Sequence, residues 1–255
     1  VGMYEIIVGR TPDDLKKYGS FGTAYIGKHI VGLGEDAHTT SKILLDLVRP
    51  HVMLICGKRG SGKSYSAGVI AEEMAALPEE LRKNLAFIII DPMGIYWSMK
   101  NPNEKDSELL RKWDLKPKGV DVNLFIPRGK TMEYESAGIL WDNTISLPAG
   151  EFSAEDWAIT FNVETFSDIG VLLGRVIKNL KERSAEYDIR QVIAEIDSDK
   201  RTDQKHKDAL KGLFENVESW GIFGKEKISL DEMFKPGSIS VIDISHYEGW
   251  ATKNL

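Results

Sequence analysis

His51-Val-Met-Leu-Ile-Cys-Gly57-Lys-Arg-Gly-Ser-Gly-Lys63-Ser64 decides the fold: an apolar run, a glycine-rich turn, then a helical pattern from Ser64 to Leu77 that Pro78 stops. The turn matches the phosphate-loop spacing G-x-x-x-x-G-K-[ST] in full. Glycines at 57, 60 and 62 open backbone angles closed to other residues, so successive N–H groups can turn inward around phosphate oxygens. The helix beginning near Lys63 adds the positive end of its dipole at the same place. Lys63 brings a compact charge to the β and γ phosphates, and the Ser64 hydroxyl, one residue on, is placed to ligate Mg²⁺. The expected nucleotide contacts are therefore Gly57, Lys58, Arg59, Gly60, Ser61, Gly62, Lys63, Ser64 and Tyr65. Arg59 can reach the nucleotide or a neighbouring subunit, or stay solvated. The guanine-reading string N/T-K-x-D is absent, since Thr252-Lys253-Asn254-Leu255 ends in leucine, and ATP is favoured.

Working outward, Leu85-Ala-Phe-Ile-Ile-Ile90 lacks polar alternation, as a strand covered on both faces of a parallel sheet would, and it ends in Asp91. Two buried parallel strands joined by a helix make a βαβ unit. Val120, Val122, Leu124 and Ile126 alternate with Asp121, Asn123 and Phe125, which predicts a peripheral strand ended by Pro127. Ile169 to Leu180 and Leu210 to Val217 repeat at three and four residues and predict helices, with the charged stretch from Asp197 to Lys207 a solvated loop between them. Ser238 to Asp243 reads as a further buried strand. Before the phosphate loop, Tyr4 to Val8, Ala24 to Leu33 and Lys42 to Leu47 read as short β pieces without a core of their own. The expectation is an α/β fold. A mostly parallel sheet is flanked by helices, residues 1–44 form a β extension, 45–255 an ATPase domain, and about 153–220 a helical insertion.

Composition narrows the alternatives. Of 255 residues, 42% are hydrophobic and 28% charged, enough apolar material for a sizeable core. No apolar run is long enough to span a membrane, and a cytoplasmic protein is expected. The single cysteine, Cys56, reads as a small buried side chain and excludes a disulfide scaffold. Five scattered histidines give no metal-ligand spacing, and no serine has the partners for acyl transfer. The six tryptophans are not interleaved with basic residues, so they are expected in the core or at interfaces. The net charge of −6 does not itself point to nucleic acid.

Three pieces of the chain together resemble the HerA-type ATPases of the HerA/FtsK superfamily: His51 to Glu73, the strand end Ile90-Asp91-Pro92-Met93-Gly94-Ile95-Tyr96, and Pro236-Gly-Ser-Ile-Ser-Val-Ile-Asp243-Ile-Ser245. The similarity runs from about residue 45 onward. It implies a RecA-like domain in a hexameric ring that hydrolyses ATP at subunit interfaces and pumps double-stranded DNA, with a nuclease such as NurA as companion. The family's D-x-x-G-E-Y string carries glutamate where this chain has Ile95, so any polar role there is lost or moved. The family's Walker B carboxylates would follow a strand beyond Leu255, so the chain reads as ending inside the motor domain. Asp91 is the candidate catalytic carboxylate beside Lys63, or else the cap of the turn after its strand. Asp243 ends its strand in the same way and can serve the Mg²⁺ shell instead. A small-molecule kinase using the same loop, and a nucleotide-binding subunit that regulates assembly without moving DNA, remain the competing functions.

Overall fold

The structure, a computed structural model, describes residues 4–224 and 230–247. The Thr252–Leu255 string lies outside them. The elements in chain order are β1 (Ile6–Val8), α1 (Pro12–Tyr18), β2 (Thr23–Val31), β3 (His38–Asp46), α2 (Lys63–Ala75), α3 (Glu79–Arg82), β4 (Phe87–Asp91), α4 (Ser107–Lys112), β5 (Val122–Pro127), α5 (Thr131–Ser136), β6 (Asn143–Ile145), α6 (Ala154–Phe161), α7 (Asp168–Arg183), α8 (Ile189–Ser198), α9 (Gln204–Ser219), α10 (Leu230–Met233) and β7 (Ile239–Asp243). They fall into two compact units. One takes residues 1–87, 98–122 and 234–239, and the other takes 88–97, 123–233 and 240–255.

The first unit carries a three-stranded sheet in the order β1-β3-β2. β1 runs parallel to β3, and β2 runs antiparallel to it with irregularities between Tyr25 and Gly27 and between Lys28 and Ile30. Ala24, Leu44 and Leu45 are buried, and α2 packs against β2. The β pieces expected here therefore form a sheet, and α1 joins them, started by Thr11, whose hydroxyl accepts from Asp14 N–H. Charge holds the sheet's end. The buried Asp46 carboxylate takes the Arg10 guanidinium, the N–H groups of Val48 and Arg49 (3.3 and 3.2 Å) and the His51 ring (Nε2 to Oδ2, 2.9 Å). Burial pushes the Asp46 carboxyl up, but these donors outweigh it and hold it below the usual carboxylate range.

Two expectations fail in this unit. His51 to Cys56 forms no strand, and Val52 and Leu54 are 104% and 85% exposed. A strand needs a partner for its backbone groups, and no described strand pairs with this segment. Cys56, expected to be buried, is likewise exposed.

The second unit carries a parallel sheet in the order β4-β7-β5-β6, counted among the described residues. Ile244 N–H donates to Asp91 O (3.0 Å) at the carboxyl ends of β4 and β7, and Phe125 to Pro127 pair in register with Asn143 to Ile145. β5 is not peripheral as expected. It lies inside the sheet, with Leu124, Phe125 and Ile126 buried. β4, expected to be covered on both faces, is instead an edge strand with Ile90 exposed.

Helices α6 to α9 build the main core, within the stretch predicted as a helical insertion. Leu172, Leu173, Val176, Ile177 and Leu180 form the buried face of α7, and Leu210, Phe214 and Val217 that of α9. Trp157 is fully buried among Phe152, Phe161, Phe214 and Phe223, with ring centroids 4.9 to 5.6 Å apart. Capping boxes at Ser153/Asp156 and Asp188/Gln191 start α6 and α8. The segment from Asp197 to Lys207 is more ordered than a solvated loop. Asp199 accepts from Arg201 N, Thr202 N and Arg175, and the buried Lys207 ammonium donates to Asp197 O and Asp199 O. None of the described helices is long and apolar enough to cross a membrane.

Candidate phosphate-binding site

Residues 57–64 fold into a tight loop at the start of α2. Gly60 and Gly62 have φ of 78° and 88°, in the left-handed region that side chains oppose. Gly57 needs its missing side chain for another reason: a Cβ there would overlap the Ser61 hydroxyl. The loop is closed by Ser61 N–H on Lys58 O (3.2 Å), and the first turn of α2 by Ser66 N–H on Gly62 O (2.9 Å). Gly62 is the N-cap and brings no side chain to the cap. The first turn of α2 holds no acidic residue. The dipole's positive end, the loop amides and the side chains of Lys58, Arg59 and Lys63 thus share one short stretch of chain.

Lys63 folds back across this loop. Its ammonium donates to Lys58 O at 2.8 Å, a neutral carbonyl that a phosphate oxygen would replace with a stronger, charge-assisted bond. Ser61, Ser64 and Tyr65 are exposed on the loop and first turn, so solvent-borne ligand can reach them. Ser64 offers one hard hydroxyl oxygen, a donor that suits Mg²⁺, which keeps most of its waters. All the nucleotide contacts expected from sequence lie in the first unit.

Asp91 lies in the second unit and is fully buried. Its Oδ1 accepts the N–H groups of Met93 (3.0 Å) and Gly94 (2.9 Å), and its Oδ2 those of Ile95 (2.7 Å) and Tyr96 (2.8 Å). Four backbone donors from consecutive residues wrap one carboxylate, so Asp91 shapes the turn that follows β4. Asp243, also fully buried at the end of β7, accepts Ser245 N–H on Oδ1 (2.8 Å), while its Oδ2 has no hydrogen-bond partner within the described structure. Tyr134 joins the group from α5: its hydroxyl donates to Asp243 O at 3.0 Å, and its ring lies 4.3 Å from that of His246. Burial first, and then the nearby Asp243 carboxylate, push the Tyr134 phenol far above its ordinary value, so it stays a neutral donor. Sequence reasoning missed Tyr134, which no spacing rule connects to Asp243, a hundred and nine residues further on.

Gly94 is bound to this arrangement. Its φ is 65°, and a Cβ would overlap the Ser245 hydroxyl and come within 3.5 Å of Asp243 Oδ2. Gly94→Ala is expected to cost about 2 kcal/mol, from left-handed strain plus the clash. A urea melt of the variant checks this, and an unchanged midpoint would show that the turn relaxes freely.

A comparison with curated proteins found no match. One family model, described as the central domain of helicase HerA, matches residues 24–253. With that match covering most of its length, the chain belongs to the HerA helicase central-domain family.

Proposed function

We propose that this chain is the motor part of a DNA translocase that hydrolyses ATP to ADP and phosphate and works as a homo-oligomeric ring, hexameric in its expected form, on double-stranded DNA. The observation that carries the reading is the loop from Gly57 to Ser64, with the Lys63 ammonium lying across it. Family membership supports the motor assignment.

In this reading the loop amides and the α2 dipole hold the triphosphate, and Lys63 exchanges Lys58 O for β and γ oxygens. Ser64 would hold Mg²⁺, which when bound neutralises charge on the phosphate oxygens. Tyr65 follows on the exposed side of α2, where its ring can border the nucleotide. Asp91 serves by fixing the turn Met93–Tyr96. Catalysis then rests on positioning and charge neutralisation. A nuclease of the NurA type is the proposed companion.

The test is ATP hydrolysis by the full-length protein with and without linear duplex DNA. Duplex should raise the rate several-fold, and Lys63→Ala should remove both basal and stimulated rates. Hydrolysis indifferent to DNA, or phosphate transfer only to an added small acceptor, would overturn the motor reading and favour a regulatory ATPase or a kinase respectively.

A further inference from the structure

The phosphate loop is flanked by two polar attachments that end on the same strand pair. On the incoming side His51, six residues before Gly57, meets Asp46 at 2.9 Å. The His51 ring is also packed over Gly9, where an added Cβ would lie 2.9 Å from Cε1, so the ring is held on two sides. On the outgoing side Glu73, ten residues after Lys63 on α2, accepts the N–H of Tyr25 at 3.3 Å. In the β2–β3 ladder Thr23 lies opposite Asp46 and Tyr25 opposite Leu44, so the two attachments are two residues apart along the strands, or about 7 Å.

We propose that Asp46 and Glu73 are positioning residues for the phosphate loop, which clamp both its ends to the β2–β3 ladder so that the amides of residues 57–62 are set before a nucleotide arrives. The inference rests on the nucleotide reading of that loop and deepens it: the N-terminal sheet becomes the mount of the nucleotide site rather than an appendage.

Three observations favour a mount. The connection from Asp46 to Gly57 contains no described strand; its start is tied through Leu47, Val48 and Arg49, and among the described residues the Asp46–His51 bond is the last hydrogen bond before the loop. Tyr25 stands at the β2 irregularity, where the extra residue lets the strand turn an N–H out of the ladder toward a side chain. Glu73 is half-buried: burial pushes its carboxyl up, and the Tyr25 N–H and the Lys42 charge work against that rise. A solvated glutamine or lysine would satisfy an α2 surface position without that desolvation. A preset loop avoids the cost of ordering its residues on binding, so loosening either clamp should appear as lost affinity.

The experiment uses the full chain with a fluorescent ATP analogue plus Mg²⁺, and amide hydrogen exchange of residues 57–66 without nucleotide. Glu73→Ala should weaken the analogue's Kd about tenfold, the scale of one charge-assisted hydrogen bond. Glu73→Gln, which keeps an acceptor, should recover most of it, and Asp46→Asn should show a loss of similar size. Exchange should accelerate in 57–66 in the two weakened variants. Met99→Ala serves as the stability control, because it removes a buried side chain of the same unit, and no described hydrogen bond joins Met99 to Asp46, His51, Tyr25 or Glu73. Affinity within twofold of wild type with unchanged loop exchange would overturn the proposal. So would a loss that Met99→Ala reproduces at equal melting temperature. If wild type binds no better than Lys63→Ala, the nucleotide reading fails instead, and the clamps are judged by loop exchange alone.

Discussion

Lys63→Ala is expected to weaken nucleotide binding roughly a hundredfold or more, since truncating a charge that meets a charged partner in a desolvated contact costs about 2–5 kcal/mol. The fold should be left alone. Among the described contacts the Lys63 ammonium bonds only to Lys58 O, at the loop surface, and its stem belongs to no core cluster. Surface changes of this kind usually move stability by less than about 0.5 kcal/mol, so the melting temperature should shift by no more than a few degrees. The pair of results separates a phosphate-binding lysine from a structural one. Titration with the fluorescent analogue, alongside a thermal melt, reads both. Affinity within threefold of wild type would remove Lys63 from the site, whereas a collapsed melt would mean that its bond to Lys58 O holds the loop.

The loop itself was legible because its constraints are local. Glycines at 60 and 62 take the positive φ their spacing implies, and α2 begins where Gly62 ends. Helices α7 and α9 were legible for the same reason, as their buried faces recur every three or four residues. What escaped the sequence depends on partners far along the chain. β5 looked peripheral because Asn123 interrupts its apolar run, yet Asn123 Oδ1 accepts from Asn143 Nδ2 at 2.8 Å, a pairing twenty residues away that satisfies a polar side chain inside the sheet. The apolar character of Val52 to Leu54 reports a preference for burial but names no ladder partner, and here none of the described strands supplies one. The Asp46 cluster joins Arg10, thirty-six residues earlier, to His51, and no motif signals it. For Asp91 the residues alone allowed either a role beside the nucleotide or a cap, and the structure shows four backbone N–H groups donating to its carboxylate.

Those four bonds make Asp91→Ala the substitution with the largest expected effect on stability. Each N–H left without an acceptor costs about 1–3 kcal/mol when buried. Met93 and Ile95 are exposed enough for water to take over part of the loss, so the sum is expected near 4 kcal/mol rather than the full total. The damage should be local at first: the turn from Met93 to Tyr96 loses its centre, and the Trp97 ring N–H, which donates to Gly94 O at 3.0 Å, loses a fixed acceptor. Asp91→Asn keeps one carbonyl oxygen for one pair of donors and turns an NH₂ group against the other pair, so about half the loss should remain. Urea unfolding of both variants, with hydrogen exchange at residues 93–97, measures the ladder of effects. The asparagine variant also separates the two roles the sequence left open. If ATP hydrolysis falls in step with stability and recovers when the turn is stabilised by other means, Asp91 acts through the turn. If Asp91→Asn melts like wild type yet hydrolyses nothing, the carboxylate's charge is needed at the reacting phosphate, and the turn-shaping role proposed for it is wrong.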